Sequence, residues 1–365
     1  MTTRVVRGGA ACYVGAMDGF ELVCCMALSD AQVRNHLAPV VAHPAVQRVW
    51  LVRHGTESFA DVDKVAHVRI SDAKPKRFLQ AYRACRALCR RPQVQASISF
   101  NPIPYGLLAA RAARAAHKRC HFGFIGSDWN RDASGRMRFL QPLLREGDFI
   151  TASGPPMRRA MVGDGFDDDR VRVLPHTVDR ARYATDRTRS ALDIVFVGRL
   201  HVEKRVDTIL RGFARLLAKH PEATLTIVGD GPERERLHTL ASDLQLGDAV
   251  DFVGYRSDVV PHLHRAGVLV MASEMEGFPF ALVEGVCAGL VPVTTAVGDI
   301  GHHLSHDDTA LFFDVGDDAG LAQRLDQLTD AALMRRLQAN GRRLQASFGH
   351  EAATAVWDSW WSRWR

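Results

Sequence analysis

The sequence predicts an α/β chain of two doubly wound, parallel-sheet domains facing a cleft, and three observations carry that expectation. Short runs rich in β-branched and aromatic residues alternate with amphipathic stretches along nearly the whole chain, the pattern of parallel sheets covered by helices. At 365 residues the chain is long for one domain and comfortable for two. The alternation restarts at Asp193, after a stretch without apolar periodicity (DRARYATDRTRSALD, 179–193) that reads as a linker.

In the first half the strand-like runs are ELVCCMAL, RVWLVRH, AHVRI, ASISF, HFGFI, DFITAS and RVRVLP. Helical patterns lie between them in SDAQVRNHLAPVVAH and KRFLQAYRACRALCRR. The second half is more regular. Strands DIVFVGR, TLTIVG, VDFVG, VLVMAS, VPVTT and ALFFDV alternate with helices near 204–219, 232–244, 258–265, 279–289 and 317–328. Two such Rossmann-like domains place their ligand loops at the carboxyl ends of the strands. The expected division is 1–178, 179–345 and a last helix, 346–365, returning to the first domain.

Composition is that of an ordinary globular protein, 47% hydrophobic and 24% charged. No run approaches a membrane-spanning length, and the first twenty residues lack the continuous apolar core of a signal peptide. Seven cysteines (12, 24, 25, 85, 89, 120 and 287) form no CxxC pair, which fits reduced core thiols in a cytoplasmic protein. The net charge is +6, and between Asp72 and Asp128 eleven Lys or Arg residues meet no acid. That segment suits phosphates, anionic lipid head groups or acidic glycans, or is a solvated face.

Four loops of the second half carry the candidate chemistry, each directly after a strand. The first holds Gly198, Arg199 and Lys204, two cations spaced to clamp two phosphates. The next has Gly229, Asp230 and Gly231, and the third Gly254 and Tyr255. The fourth reads SEMEGFPFALVEG. There Gly277 permits a tight turn and Pro279 suits a first helical turn. Free N–H groups of the following helix, from Phe278, Phe280 and Ala281, then form an anion site. Glu276 lies on the loop beside it and Glu284 just over one turn into the helix.

In this order and spacing, VGRLHVEKRVDTIL, LTIVGDGPERERL, VDFVGYRSDV and EGFPFALVEGVCAGLVPV resemble the carboxyl-terminal domain of GT-B glycosyltransferases of family 4, the group 1 transferases. The resemblance covers about residues 193–315 and assigns roles. It implies that Arg199 and Lys204 hold the donor diphosphate and act in catalysis, that Glu276 faces the transferred sugar, and that Glu284 takes the ribose. The amides from Phe278 to Ala281 would hold the β-phosphate and sugar, and the backbone around Tyr255 would meet the base. Family members retain anomeric configuration and use no metal, so no cofactor is expected. The implied partners are a nucleotide-sugar donor and a glycan or lipid-linked acceptor held by the first domain. An anionic membrane surface is a further candidate, with the enzyme peripheral on its cytoplasmic side, and no nucleic acid is expected. A sugar-nucleotide epimerase of the same fold and an inactive nucleotide-sugar-binding protein are the alternatives.

The chain departs from the family in places. Where relatives often carry Gly-Gly-Ile-Pro-Glu it has Gly298-Asp299-Ile300-Gly301-His302, with a histidine for the glutamate. Where many carry His-Gly-Ser-Asp it has Ile125-Gly126-Ser127-Asp128, which removes the active-site histidine and leaves Ser127 and Asp128 as candidates for acceptor or sugar. His121, inside a strand, does not take over that role. Arg53-His54-Gly55 resembles a histidine-phosphatase motif, but no second His-Gly follows. The helix 74–91 sets Phe78, Tyr82, Cys85 and Cys89 on one face and Arg83, Arg86 and Arg90 on another, a pattern for packing or for a membrane surface. The same two readings apply to Trp357, Trp360, Trp361 and Trp364 at helical spacing in the tail. His302, His303, His306, Asp307 and Asp308 lack the spacing of a metal site.

Overall fold

In the computed structural model the described residues are 19–55, 59, 62–100, 102–125, 135–185 and 190–364. The first half forms a seven-stranded sheet. Its strands are β1 (Phe20–Cys25), β2 (Val46–Arg53), β3 (Val65–Arg69), β4 (Val94–Ile98), β5 (Arg119–Gly123), β6 (Phe149–Ala152) and β7 (Val171–Val173). Their order is β3-β2-β1-β4-β5-β6-β7, parallel throughout. The second half forms a six-stranded sheet of β8 (Asp193–Val197), β9 (Thr224–Val228), β10 (Val250–Gly254), β11 (Val268–Met271), β12 (Val291–Thr294) and β13 (Leu311–Phe312). It too is parallel, in the order β10-β9-β8-β11-β12-β13.

Central strands covered on both faces read as unbroken apolar runs. β1 is such a strand: Leu22 and Cys24 enter one core, Val23 and Cys25 the other. The second sheet likewise separates two apolar layers, one around Phe196, Ile227 and Val270, the other around Val195, Leu269 and Val283. The six described cysteines are free and buried.

Helix His350–Trp361 crosses back and packs on helix Asp30–Val41 of the first domain. Trp357, Trp360 and Trp361 are buried there among Phe20, Phe100 and Phe149, so for these three packing is the outcome. Among the described residues four helices of eight residues or more stand where the apolar pattern names none: Leu107–Arg114, Gly135–Arg145, Pro155–Gly163 and Ala331–Leu344. Prolines at 102, 104, 142, 155 and 156 and Gly341 mask them, because such residues punctuate a pattern even where they sit at a helix start.

The segment 179–193 is not a free linker. Its described part forms the short helix Arg180–Tyr183 and is tied to the second domain, with Arg182 on Asp258 at 2.8 Å and the Tyr183 carbonyl on His264 Nε2 at 3.0 Å. Too short to show a period, the helix is fixed by these long-range contacts. Among the described residues no helix is long and apolar enough to cross a membrane.

Candidate active site

In a doubly wound sheet the crevice opens where strand order reverses. In the second sheet that point lies between β8 and β11, so the loops after these strands run side by side. The loop after β8 ends in a tight turn, Val202–Lys204, and the loop after β11 docks on it through the Glu274 N–H to the Glu203 carbonyl, 2.9 Å. Arg205 closes the turn in the left-handed region at φ 47°, an unfavourable conformation for a residue with a Cβ. Its guanidinium bonds Glu274 at 2.6 Å and Asp207 at 3.3 Å, which fixes it there.

This docking brings together two residues that stand 72 positions apart in sequence. Lys204 Nζ lies 2.5 Å from Glu276 Oε1, and Ser273 Oγ donates to the same oxygen at 2.8 Å. Both charged side chains are largely buried, so the pair holds an ammonium and a carboxylate at fixed places in the crevice. Arg199 is different. It stays mostly exposed and touches Glu203 at 3.4 Å, a contact a ligand can replace at little cost.

Glycine is obligatory where the neighbouring loops touch. Gly229 has φ +147°, and a Cβ there would fall 1.8 Å from the Gly198 carbonyl oxygen. Its N–H meets the Gly254 carbonyl at 2.9 Å, so the loops after β8, β9 and β10 form one floor. Asp230 bonds the Gly231 N–H at 2.7 Å and pairs with Arg234, and Tyr255 stands exposed beyond Gly254.

The helix after β11 runs from Phe280 to Cys287, with Pro279 extended as its cap (φ −73°, ψ 140°) rather than in its first turn. The carbonyls before it are occupied. Gly277 O accepts from Asp299 N at 3.1 Å, and Phe278 O contacts His176 Nδ1 at 2.5 Å. Gly298 lies against this turn, where a Cβ would sit 1.9 Å from the Glu276 carbonyl oxygen. With these carbonyls turned away, the amides of Phe278, Phe280 and Ala281 are the groups a helix start offers to an anion.

Glu284 is buried. It accepts a hydrogen bond from the Tyr183 hydroxyl at 3.0 Å. Burial pushes its carboxyl up to about 7, while Tyr183, Arg182 and Asn35 pull the other way.

The two domains meet along the same loops. Ser153 Oγ donates to Asp299 Oδ2 at 2.9 Å, and His302 faces Arg159 at 3.1 Å. His176 stacks on Phe280 with ring centres 4.4 Å apart, and His36 of the first domain stands edge-on to the same ring. Asp299 and His302, at the variant family position, therefore form interdomain contacts.

Several sequence candidates lie elsewhere. Ser127 and Asp128 fall outside the described residues. His121 is a core residue of β5, bonded to Thr151 at 2.9 Å, edge-on to Trp357 and held neutral by burial, which pushes it down to about 3. Arg53 is structural, bonded to Asp30 and the Leu28 carbonyl. His306 accepts from the Phe312 N–H, and His303 stacks on Phe278. Sequence reasoning missed Ser273, Tyr183, Asn35, His176 and Asp299 as parts of the site, and only their place in the fold reveals them. A cavity of about 820 Å³ lies apart from all of these residues, between the crossover segment and helix Ala331–Leu344.

The model of the family described as glycosyl transferases group 1 matches residues 182–344. The lipopolysaccharide core biosynthesis glycosyltransferase LpsE of Rhizobium meliloti (strain 1021) is 32% identical over 332 residues, covering 87% of this chain and 91% of that protein. Glycogen synthase of Mycobacterium tuberculosis (strain ATCC 25618 / H37Rv) is 31% identical over 225 residues, 59% of this chain. There the chain spans about half, 54%, of the relative's length. Anabaena HepE, solved in complex with UDP and glucose, superposes with a TM-score of 0.78 at 15% identity, over 94% of this chain and 100% of that one. The lipopolysaccharide outer core galactosyltransferase WaaB, in its apo form, gives 0.67 at 15% identity, over 95% and 100%. Identities this low show the fold alone, two Rossmann-like domains in the GT-B arrangement. With a relative aligned over nearly its whole length and the family model matching the second half, the chain belongs to the group 1 glycosyltransferases.

Proposed function

We propose that this glycosyltransferase moves a hexose-type sugar, with retention, from a UDP- or GDP-sugar to a glycan or lipid-linked acceptor in cell-surface polysaccharide synthesis. The observation that carries the reading is the Lys204–Glu276 pair set beside the start of helix Phe280–Cys287. It combines a cation and amides for a diphosphate with a carboxylate for sugar hydroxyls. The relatives support the acceptor class, since one of them is a lipopolysaccharide core transferase. A structural neighbour solved with UDP-glucose supports the donor class.

In this reading the amides of Phe278, Phe280 and Ala281 bind the β-phosphate, and Lys204 and Arg199 neutralise the diphosphate. The acceptor hydroxyl approaches the anomeric carbon on the face from which the diphosphate leaves. Its oxygen forms the new bond as the bond to phosphate breaks, and its proton passes to a departing phosphate oxygen. Negative charge grows on that leaving group, so fixed cations and amides stabilise the transition state more than the ground state. Glu276 orients the sugar, and Glu284, shared with Tyr183, takes the ribose. In this reading the protein supplies these charges from its own side chains, and the reaction needs no metal.

A thermal-shift screen of UDP-, GDP- and ADP-sugars identifies the donor, since a ligand at 100 times its dissociation constant stabilises by about 2.7 kcal/mol. Transfer is then followed by NMR of the anomeric proton in excess EDTA. Retained configuration and undiminished rate are expected. Inversion, or a loss restored only by Mn²⁺, overturns the mechanism. Interconversion of the sugar nucleotide without transfer indicates an epimerase, and donor binding without turnover a binding protein.

A further inference from the structure

One helical layer of the first domain has a character that sugar transfer does not use. Helices Lys74–Cys89 and Leu107–Arg114 pack side by side. Helix Gly135–Arg145 joins them through Leu140 and Leu144, which share a core with Ala110. The layer lies opposite the face covered by helices Asp30–Val41 and His350–Trp361.

Its outer surface is basic and partly apolar. Lys76, Arg83, Arg86 and Arg90 follow one another along the exposed side of the first helix. No carboxylate among the described residues pairs with any of them, in keeping with the acid-free sequence from 73 to 127. Leu79 sits within that row at 50% exposure. On the third helix Leu140 and Leu144 turn inward while Phe139 and Leu143, one turn apart, stand 86% and 46% exposed.

A single exposed leucine means little. Three large apolar side chains on a layer that also carries these four cations have the composition of a surface that lies on a negatively charged bilayer. A soluble polyanion would engage the arginines and leave Phe139 and Leu143 in water. The geometry points to this layer as a docking face for an anionic phospholipid bilayer. Phe139, Leu143 and Leu79 enter the head-group boundary, and Arg83, Arg86 and Arg90 meet the lipid phosphates. This goes beyond the transfer reaction and stands or falls separately from the donor assignment.

The test is cosedimentation of the full chain with vesicles of phosphatidylcholine alone or mixed with phosphatidylglycerol, at about 0.1 M salt where screening is moderate. The wild type is expected on the anionic vesicles only. Replacing Arg83, Arg86 and Arg90 together with Gln should weaken binding about 100-fold, at roughly fivefold for each cation. The double variant Phe139→Ser, Leu143→Ser should weaken it about tenfold. All five side chains are on the surface, and calorimetric titration with free UDP, GDP or ADP checks that each variant keeps its donor site. Failure of the wild type to sediment with anionic vesicles overturns the proposal, as does equal binding to both vesicle types. If the arginine variant loses binding while the Phe139/Leu143 variant keeps it, the surface serves a soluble polyanion and the bilayer assignment is wrong.

Discussion

The two sheets share a topology but not a chemistry at their switch points. In the second sheet the crevice between β8 and β11 holds Lys204, Glu276 and a helix start with its carbonyls tied back. At the matching point of the first sheet, between β1 and β4, the residues just past the strands turn into the core: Met26 and Phe100 are buried on one face, Tyr105 on the other, and Ser99 bonds the Cys25 carbonyl. One fold thus carries a polar, preorganised site in one half and an apolar packing surface in the other. In the second half, backbone geometry shapes the crevice. Where the task is to support a neighbouring domain and helix, side-chain volume does it.

The largest expected effect tests the packed half. Trp357→Ala removes a fully buried ring from the core beneath helix His350–Trp361, and the chain should lose about 3–5 kcal/mol in denaturant unfolding. A loss below about 1 kcal/mol would mean that the last helix is not part of the first core.

Next come the cations of the polar half. Arg199→Ala and Lys204→Ala should each cost on the order of 100-fold or more in kcat through lost stabilisation of the leaving diphosphate. Their thermal stability should move far less than that of Trp357→Ala. Near wild-type turnover in both would dissolve the contrast between the halves.

A finer test separates the two glutamates. Glu284→Gln should weaken binding of free nucleoside diphosphate by about 1.5–3 kcal/mol in calorimetric titration. Glu276→Gln should cut turnover without weakening that binding, because it also releases Lys204 from its partner. Equal loss of nucleotide affinity in both variants would refute the division of roles.

The smallest effect is a pH dependence. The carboxyl of Glu284 is raised from 4.5 to about 7 in the folded chain. A raised acid stabilises the fold fully below its unfolded value, and that contribution is lost as pH rises through the folded value. Wild-type unfolding free energy should therefore decline between about pH 5 and 7, and Glu284→Gln should flatten the decline. Nucleotide affinity should run the other way and strengthen as the carboxylate forms. An unchanged slope in the variant would assign the pH response to other groups.

How legible these features were follows from the same contrast. The polar loops after the strands of the second half could be read in advance because a glycine such as Gly229 and a cap such as Pro279 announce backbone constraints that are local in sequence. The Lys204–Glu276 contact was not legible, since it depends on β8 and β11 becoming neighbours. Nor was the hold of Tyr183 on Glu284, which spans 101 residues. Helix Pro155–Gly163 hid behind its two prolines, although its start faces Asp299 across the cleft. In the first half the tryptophan stripe was visible, yet periodicity could not choose between a core and a membrane interface. Only the observed partners, Phe20, Phe100 and Phe149, decide that.

The return of helix His350–Trp361 also bears on how the chain is made. Synthesis runs from the amino end, and all seven strands of the first sheet precede Asp193. Yet part of the cover on one face of that sheet, Trp357, Trp360 and Trp361, lies beyond residue 350. Of the two domains, the one made earlier is therefore sealed later. Until Trp357, Trp360 and Trp361 arrive, Phe20 and Phe149 lack their cover, and a nascent chain stalled in the second domain exposes a greasy trough that chaperones would recognise.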